Sequence, residues 1–337
     1  MRRSVPVVLA LLLAGPAVAA SAGSTASTAA LCGRGLKVAA QAEDGSVVCS
    51  HGPDARLDSG LGLPTDPSVP SAPCVGDGVA GTRIHVLYGV PSDVTNDYAN
   101  KVDDVRAAVD AADAYFDGSD AATTQHLRWL CSGGAVQVDN VTLAPIGGDG
   151  AFTFQDMYNS LVPRSKGKKS TGPSYKDPNQ VYVVFVDGID NAYPYCGQGG
   201  VDADDSPGTS NRNNIGPAYS LIACWTGTTA LHEIGHNLGA VQLSAPHSSG
   251  AYHCYDESDV MCYDDGGSYF VGPDGMSGTA DDGLLTATCP AASTLLGGTT
   301  EDQQFDCNED DYYNPAPAAG SYLATHWNLA SSGWVAR

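Results

Sequence analysis

Positive charge is scarce in this chain. Sixteen lysines and arginines stand against 38 aspartates and glutamates, a formal net charge of -22 over 337 residues. Nucleic acid and anionic membrane surfaces are bound through basic patches, so neither is an expected partner. Long apolar runs are also missing, apart from residues 5–14, which follow Arg2 and Arg3 and precede Ala17-Val18-Ala19. That run is too short to span a membrane. With its basic start and small-x-small end it reads as a secretory signal over residues 1–19, and the mature chain is expected to be secreted and extracellular. No C-x-x-C spacing and no internal repeat occurs.

Cysteine, in contrast, is present ten times, always downstream of the signal. An even number in an exported chain reads as disulfides rather than metal thiolates. Sequential pairing is the economical expectation: Cys32 with Cys49, Cys74 with Cys131, Cys196 with Cys224, Cys254 with Cys262, and Cys289 with Cys307. Residues 20–73 read as an N-terminal extension and a proline-rich linker. A propeptide blocking a metal through a cysteine is the rival reading, but it needs an unpaired thiol, and the even count leaves none over.

From residue 74 onward the pattern is that of one α/β (α+β) domain, with an upper half at 74–240 and a lower half at 241–337. Residues 83–90 form an apolar, β-branched strand, and Ser92-Asp93 opens a helix to about residue 115. Strands are expected at 127–130 and 135–143 around Gly133-Gly134, a short helix at 152–162, and a buried strand at 180–186. Residues 218–224 read as an edge strand leading into a helix that Thr226 or Thr228 caps. Beyond it the chain is rich in Gly, Asp, Ser and Tyr, the composition of a small loop-rich half braced by disulfides, with a terminal helix within 321–330.

The chemistry concentrates in residues 231–239, Leu-His-Glu-Ile-Gly-His-Asn-Leu-Gly. On a helix, His232 and His236 stand one turn apart on one face, and Glu233 sits about 100° round from His232. Two neutral imidazoles can share one zinc, and the carboxylate between them can take the proton of a metal-bound water. Gly239 falls where such a helix must turn back. Met261 follows in Asp259-Val-Met-Cys-Tyr263.

This combination resembles the metzincin metallopeptidases, whose signature is H-E-x-x-H-x-x-G-x-x-H followed by a methionine turn. His232, Glu233, His236, Gly239 and Met261 match, whereas Gln242 stands where the third histidine is expected. The resemblance implies a mixed twisted sheet with two long helices above the cleft and a small disulfide-braced half below it. It also implies a Zn2+-dependent endopeptidase with Glu233 as general base and Met261 beneath the metal. In that family the final edge strand pairs with the substrate, which assigns residues 216–225 that role. Tyr263, two residues after Met261, matches the tyrosine that leans toward the zinc in astacins and serralysins.

A glutamine carbonyl is a poor zinc ligand, so another residue is expected to replace Gln242. Candidates are His247, His253, Asp256 and Asp259. His247, fourteen residues before Met261, has the family's spacing, and the expected metal set is His232, His236 and His247. His253 is set aside as too close to Cys254 and the turn. Calcium is a second candidate cofactor, through Asp274, Asp281 and Asp282 or through Asp306, Glu309, Asp310 and Asp311. His326 reads as structural. The expected partner is a protein or peptide substrate, with the chain acting as a monomer. Two alternatives stay open: a catalytically silent acidic binding module on the same fold, and a zinc hydrolase of non-peptide amides.

Overall fold

The structure is a computed structural model and describes residues 29–55, 69–118, 124–148, 150–162, 174–189, 192–256, 258–286 and 304–336. The expected signal over 1–19 and Cys289 of the fifth expected disulfide lie outside these residues. No helix among the described residues is long and apolar enough to cross a membrane.

The elements that position the site are, in chain order, β1 (Lys37–Gln41), β2 (Val47–Ser50), β3 (Arg83–Pro91), α1 (Tyr98–Asp117), β4 (Val138–Leu143), α2 (Phe154–Leu161), β5 (Gln180–Val186), β6 (Gly197–Gly199), β7 (Ala218–Ile222) and α3 (Gly227–Asn237). Five strands make one mixed sheet in the order β4-β3-β5-β7-β6. All neighbours are parallel except β6, which runs antiparallel to β7.

Side chains alternate across the central strands, as the two-residue period of a strand requires. Ile84, Val86 and Tyr88 of β3 and Val181, Val183 and Phe185 of β5 face α1 and α3, where they meet Val105, Ala108, Ala112, Leu231 and Ile234. Leu87, Tyr182 and Val184 face the opposite side, against Phe154, Met157 and Leu161 of α2. Both sheet faces are therefore covered, which is why β3 and β5 read as continuous apolar runs instead of alternating ones.

Local chemistry sets the helix ends. Thr226 caps α3 by accepting a hydrogen bond from the Thr229 backbone N–H at 3.1 Å, and Thr153 and Asp156 form a capping box on α2. The expected helix start at Ser92 is displaced to Tyr98, because Asp93 accepts a hydrogen bond from the Ile146 N–H and closes a loop instead. The expected strand at 127–130 shrinks to His126–Leu127, which pairs with Val335–Ala336. The single strand expected at 135–143 splits, its first part forming a small hairpin with Cys131–Ser132 across Gly133 and Gly134, both at positive φ. The terminal helix expected within 321–330 reduces to Tyr322–Thr325 and a 3-10 turn at Leu329–Ser331.

One further expectation changes. Residues 218–224 are not the sheet edge, because β6 covers β7 on its outer side. The described part of the N-terminal extension packs onto this fold. Its hairpin β1-β2 packs Ala40 into the core on the α2 side, the Gln41 N–H donates to the Gln155 side chain, and the Val201 N–H donates to the Cys49 carbonyl at 2.7 Å.

Disulfides join Cys32 to Cys49, Cys74 to Cys131, Cys196 to Cys224 and Cys254 to Cys262. Four such bridges fit folding in an oxidising, non-cytoplasmic compartment.

Candidate metal centre

Helix α3 brings His232 and His236 to one face, as their four-residue spacing dictates. The third imidazole beside them is that of His253. His236 Nε2 lies 3.1 Å from His232 Nε2 and 3.2 Å from His253 Nε2, and all three rings are buried. Three nitrogens at bonding distance from one tetrahedral zinc lie about 3.3 Å apart. The two separations from His236 are close to that.

The outer ring nitrogens are held by acceptors. His232 Nδ1 donates to the Val260 carbonyl at 2.7 Å, and His253 Nδ1 donates to the Asp265 carboxylate at 2.8 Å. Each partner fixes the ring plane and turns Nε2 toward the cluster, as outer partners of metal-binding histidines do. Burial and the neighbouring imidazoles push the basicity of His236 far below the ordinary histidine value, which keeps it a neutral donor.

The peptide that carries the Val260 carbonyl leads directly into Met261. That side chain is fully buried beneath α3, its sulfur 2.7 Å from where a Cβ on Gly235 would stand. Glycine at 235 thus lets the turn approach the helix. Gly239 ends α3 at φ +83°, and its missing side chain admits Asn213.

Gln242 is also buried, but its amide donates to the Asp202 and Gly239 carbonyls, both at 3.1 Å, and so braces the loop that leaves the helix. His247 stands apart from the three-histidine cluster. Its Nδ1 lies 3.0 Å from Asp256 Oδ2, 3.1 Å from Asp311 Oδ2 and 3.5 Å from Asp310 Oδ1. The imidazole beside His232 and His236 is thus that of His253, from the far end of the same loop, while His247 forms a separate group with these acids.

Glu233 is fully buried, with its carboxylate pressed against the backbone of Gly197 and near the histidine cluster. Burial and the negative charge of Asp54 push its pKa well above the ordinary carboxylate range, which suits a group that must take and return a proton. Any side chain at 197 would collide with it, so the glycine is required by the carboxylate. Tyr263 places its ring 4.3 Å from that of His253, centroid to centroid. Burial pushes its phenol upward, so it remains a neutral donor.

Asp54, from the N-terminal segment, enters the same centre. Its Oδ1 lies 3.2 Å from His253 Nε2 and 3.5 Å from His232 Nε2, and it accepts a hydrogen bond from the Tyr263 hydroxyl at 2.6 Å. Burial alone would raise this acid, but the surrounding imidazoles, His51 and His232 foremost, hold it well below the usual carboxylate range. Its backbone pairs with the start of β6: the Asp54 N–H donates to the Gly197 carbonyl at 2.9 Å, and the Cys196 N–H donates to the Asp54 carbonyl at 3.0 Å. Nothing in the sequence reading singled out Asp54 or His51. The available signal was His51-Gly-Pro-Asp54, two donor residues directly after a disulfide-closed hairpin.

Of the acidic clusters, Asp274, Asp281 and Asp282 place donor atoms within 4.8 Å of one another. The 306–311 run divides instead. Asp306 turns inward to accept backbone N–H groups of residues 310–313, while Asp310 and Asp311 join His247 and Asp256 in a second His/Asp group. Comparison of the chain with known protein families, curated proteins and solved structures found no match.

Proposed function

We propose that this chain is a secreted zinc-dependent endopeptidase of metzincin type, with His232, His236 and His253 as metal ligands. The observation that carries this reading is that the buried Nε2 atoms of His232 and His253 each lie within 3.2 Å of His236 Nε2, beside a buried glutamate, on a helix packed over a methionine turn. An N3 donor set with a carboxylate base at its side fits hydrolytic zinc better than structural zinc.

When bound, zinc supplies an acidified water and polarises a carbonyl oxygen. Glu233 takes the proton of the attacking water and delivers it to the leaving nitrogen. Tyr263 donates its hydroxyl hydrogen bond to the carbonyl oxygen as charge develops there, once Asp54 no longer accepts it. The sheet edge β6 holds the substrate as an added antiparallel strand, through backbone groups of Cys196 and Gly197 that the chain's own residue 54 pairs with here.

The test is metal content together with cleavage of an unfolded protein such as casein. One zinc per chain is expected, with chelator-sensitive cleavage in Asp54→Asn, where the carboxylate facing the histidines is removed. Adding Glu233→Gln to that variant should keep the metal and lose about 10²–10⁴-fold in rate. Undiminished cleavage in that variant would remove the proposed mechanism.

A further inference from the structure

Three histidines leave one coordination position for water in a catalytic zinc site, whereas a fourth protein ligand closes it. Residues 51–54 lie across that position. The Asp54 carboxylate oxygen lies between two of the ring nitrogens, 3.2 Å from His253 Nε2 and 3.5 Å from His232 Nε2. Behind it stands His51, its ring 4.3 Å from that of His236 and 4.5 Å from that of His253. His51 Nε2 is buried, makes no hydrogen bond among the described residues, and lies 3.7 Å from Asp54 Oδ2. His51, Asp54, His236 and His253 offer ligand atoms within 4.8 Å of one another.

Three further contacts hold the segment there. Residue 54 is paired on both sides to residues 196 and 197, at the edge where an extended peptide would add. The Tyr263 hydroxyl, the donor assigned above to a substrate carbonyl, is taken up by Asp54. The hairpin β1-β2 that leads into the segment is closed by Cys32–Cys49 and fastened to residue 201. A substrate cannot reach the histidines while these contacts persist, because edge, donor and ligand position are all occupied.

Resting on the reading above, we propose that the N-terminal segment is an internal inhibitor of the metal centre. Asp54 serves as the fourth, charged ligand, His51 as a second donor behind it, and the backbone of residue 54 as a substrate-like strand on β6. The chain as it stands is then a closed-site form that holds its metal tightly and does not turn over. It becomes a peptidase when residues 51–54 leave the edge.

The experiment uses the full chain loaded with zinc or with cobalt(II) as a spectroscopic stand-in, comparing wild type with Asp54→Asn and with His51→Ala/Asp54→Asn. Asparagine preserves size and an acceptor for Tyr263, so the variant retains the local packing while losing the anionic ligand. Metal transfer to a chelator should quicken by at least the about 10–100-fold that loss of an outer-shell partner alone costs in affinity. The cobalt spectrum should change, and cleavage of casein should appear where wild type is silent. Equal metal release and equal cleavage in wild type and variants would overturn the proposal. Faster metal release with no cleavage in any chain would support the inhibitor and defeat the peptidase reading, so the two failures are distinct.

Discussion

His253 illustrates what a single residue contributes here. It lies outside the motif spacing, next to a cystine, yet its ring is buried, braced by Asp265 and aimed at His236. His247 has the expected spacing but spends its Nδ1 on three aspartates. Replacing each in turn separates the two. His253→Ala should lose zinc affinity by more than the about 10–100-fold of an outer-shell change, and His247→Ala should keep its zinc. Equilibrium dialysis with radioactive or spectroscopically active metal reads both, and retention in His253→Ala with loss in His247→Ala would reverse the assignment.

At the scale of elements, the centre depends on how closely α3 approaches its neighbours. At the start of α3, a Cβ on Gly227 would stand 2.6 Å from Ala111 Cβ and 2.9 Å from the Ala112 nitrogen of α1. Those are rigid atoms of a packed helix, so room can come only from moving one helix against the other. Gly227→Ala should therefore destabilise the fold by about 1–3 kcal/mol, the usual cost of overpacking, despite alanine's better helix propensity. Urea denaturation measures this; a midpoint at or above wild type would show that the crossing is looser than the distances indicate. The same helix crossing sets the height of His232 and His236, so part of the loss should also appear as weaker metal binding.

Across the whole molecule, the second His/Asp group ties three distant stretches, the loop at 247, the segment before Met261 and the C-terminal 310–311. The Asp311 hydrogen bond, reinforced by the charges of Asp311, Asp256 and Asp310, holds the His247 pKa up at about 9 from an ordinary 6.5, against the opposing effect of burial. A histidine raised on folding stabilises the native state fully below its unfolded pKa, and that contribution fades as pH rises through the folded value. The stability gap between wild type and His247→Gln should thus be widest below pH 6.5 and close by about pH 9. Thermal melting between pH 5 and 10 tests it, and a gap that widens toward high pH would contradict the ion-pair role of this histidine. Partial exposure to solvent keeps the effect small.

Much of the architecture was legible beforehand because its causes are local. The apolar runs at 83–90 and 180–186 had to be buried on both faces, the glycine pair at 133–134 had to turn, and Thr226 had to cap. The four-residue spacing of His232 and His236 put two imidazoles on one helical face whatever the rest of the chain did. The disulfide partners followed sequence order in each of the four bridges seen. What the tertiary structure alone decided involves residues far apart in the chain. Gly197-Gln-Gly199 carries no strand signal, since glycine is depleted in strands, yet it forms the edge because only glycine leaves space for Glu233. That His253 and not His247 stands beside His232 and His236 came from loop packing and competition among acids, which spacing does not encode. That Asp54 sits among the histidines depends on a hairpin fastened to strands some 150 residues later in the chain, through backbone pairing at residues 196, 197 and 201. Backbone pairing of that kind leaves no trace in side-chain pattern.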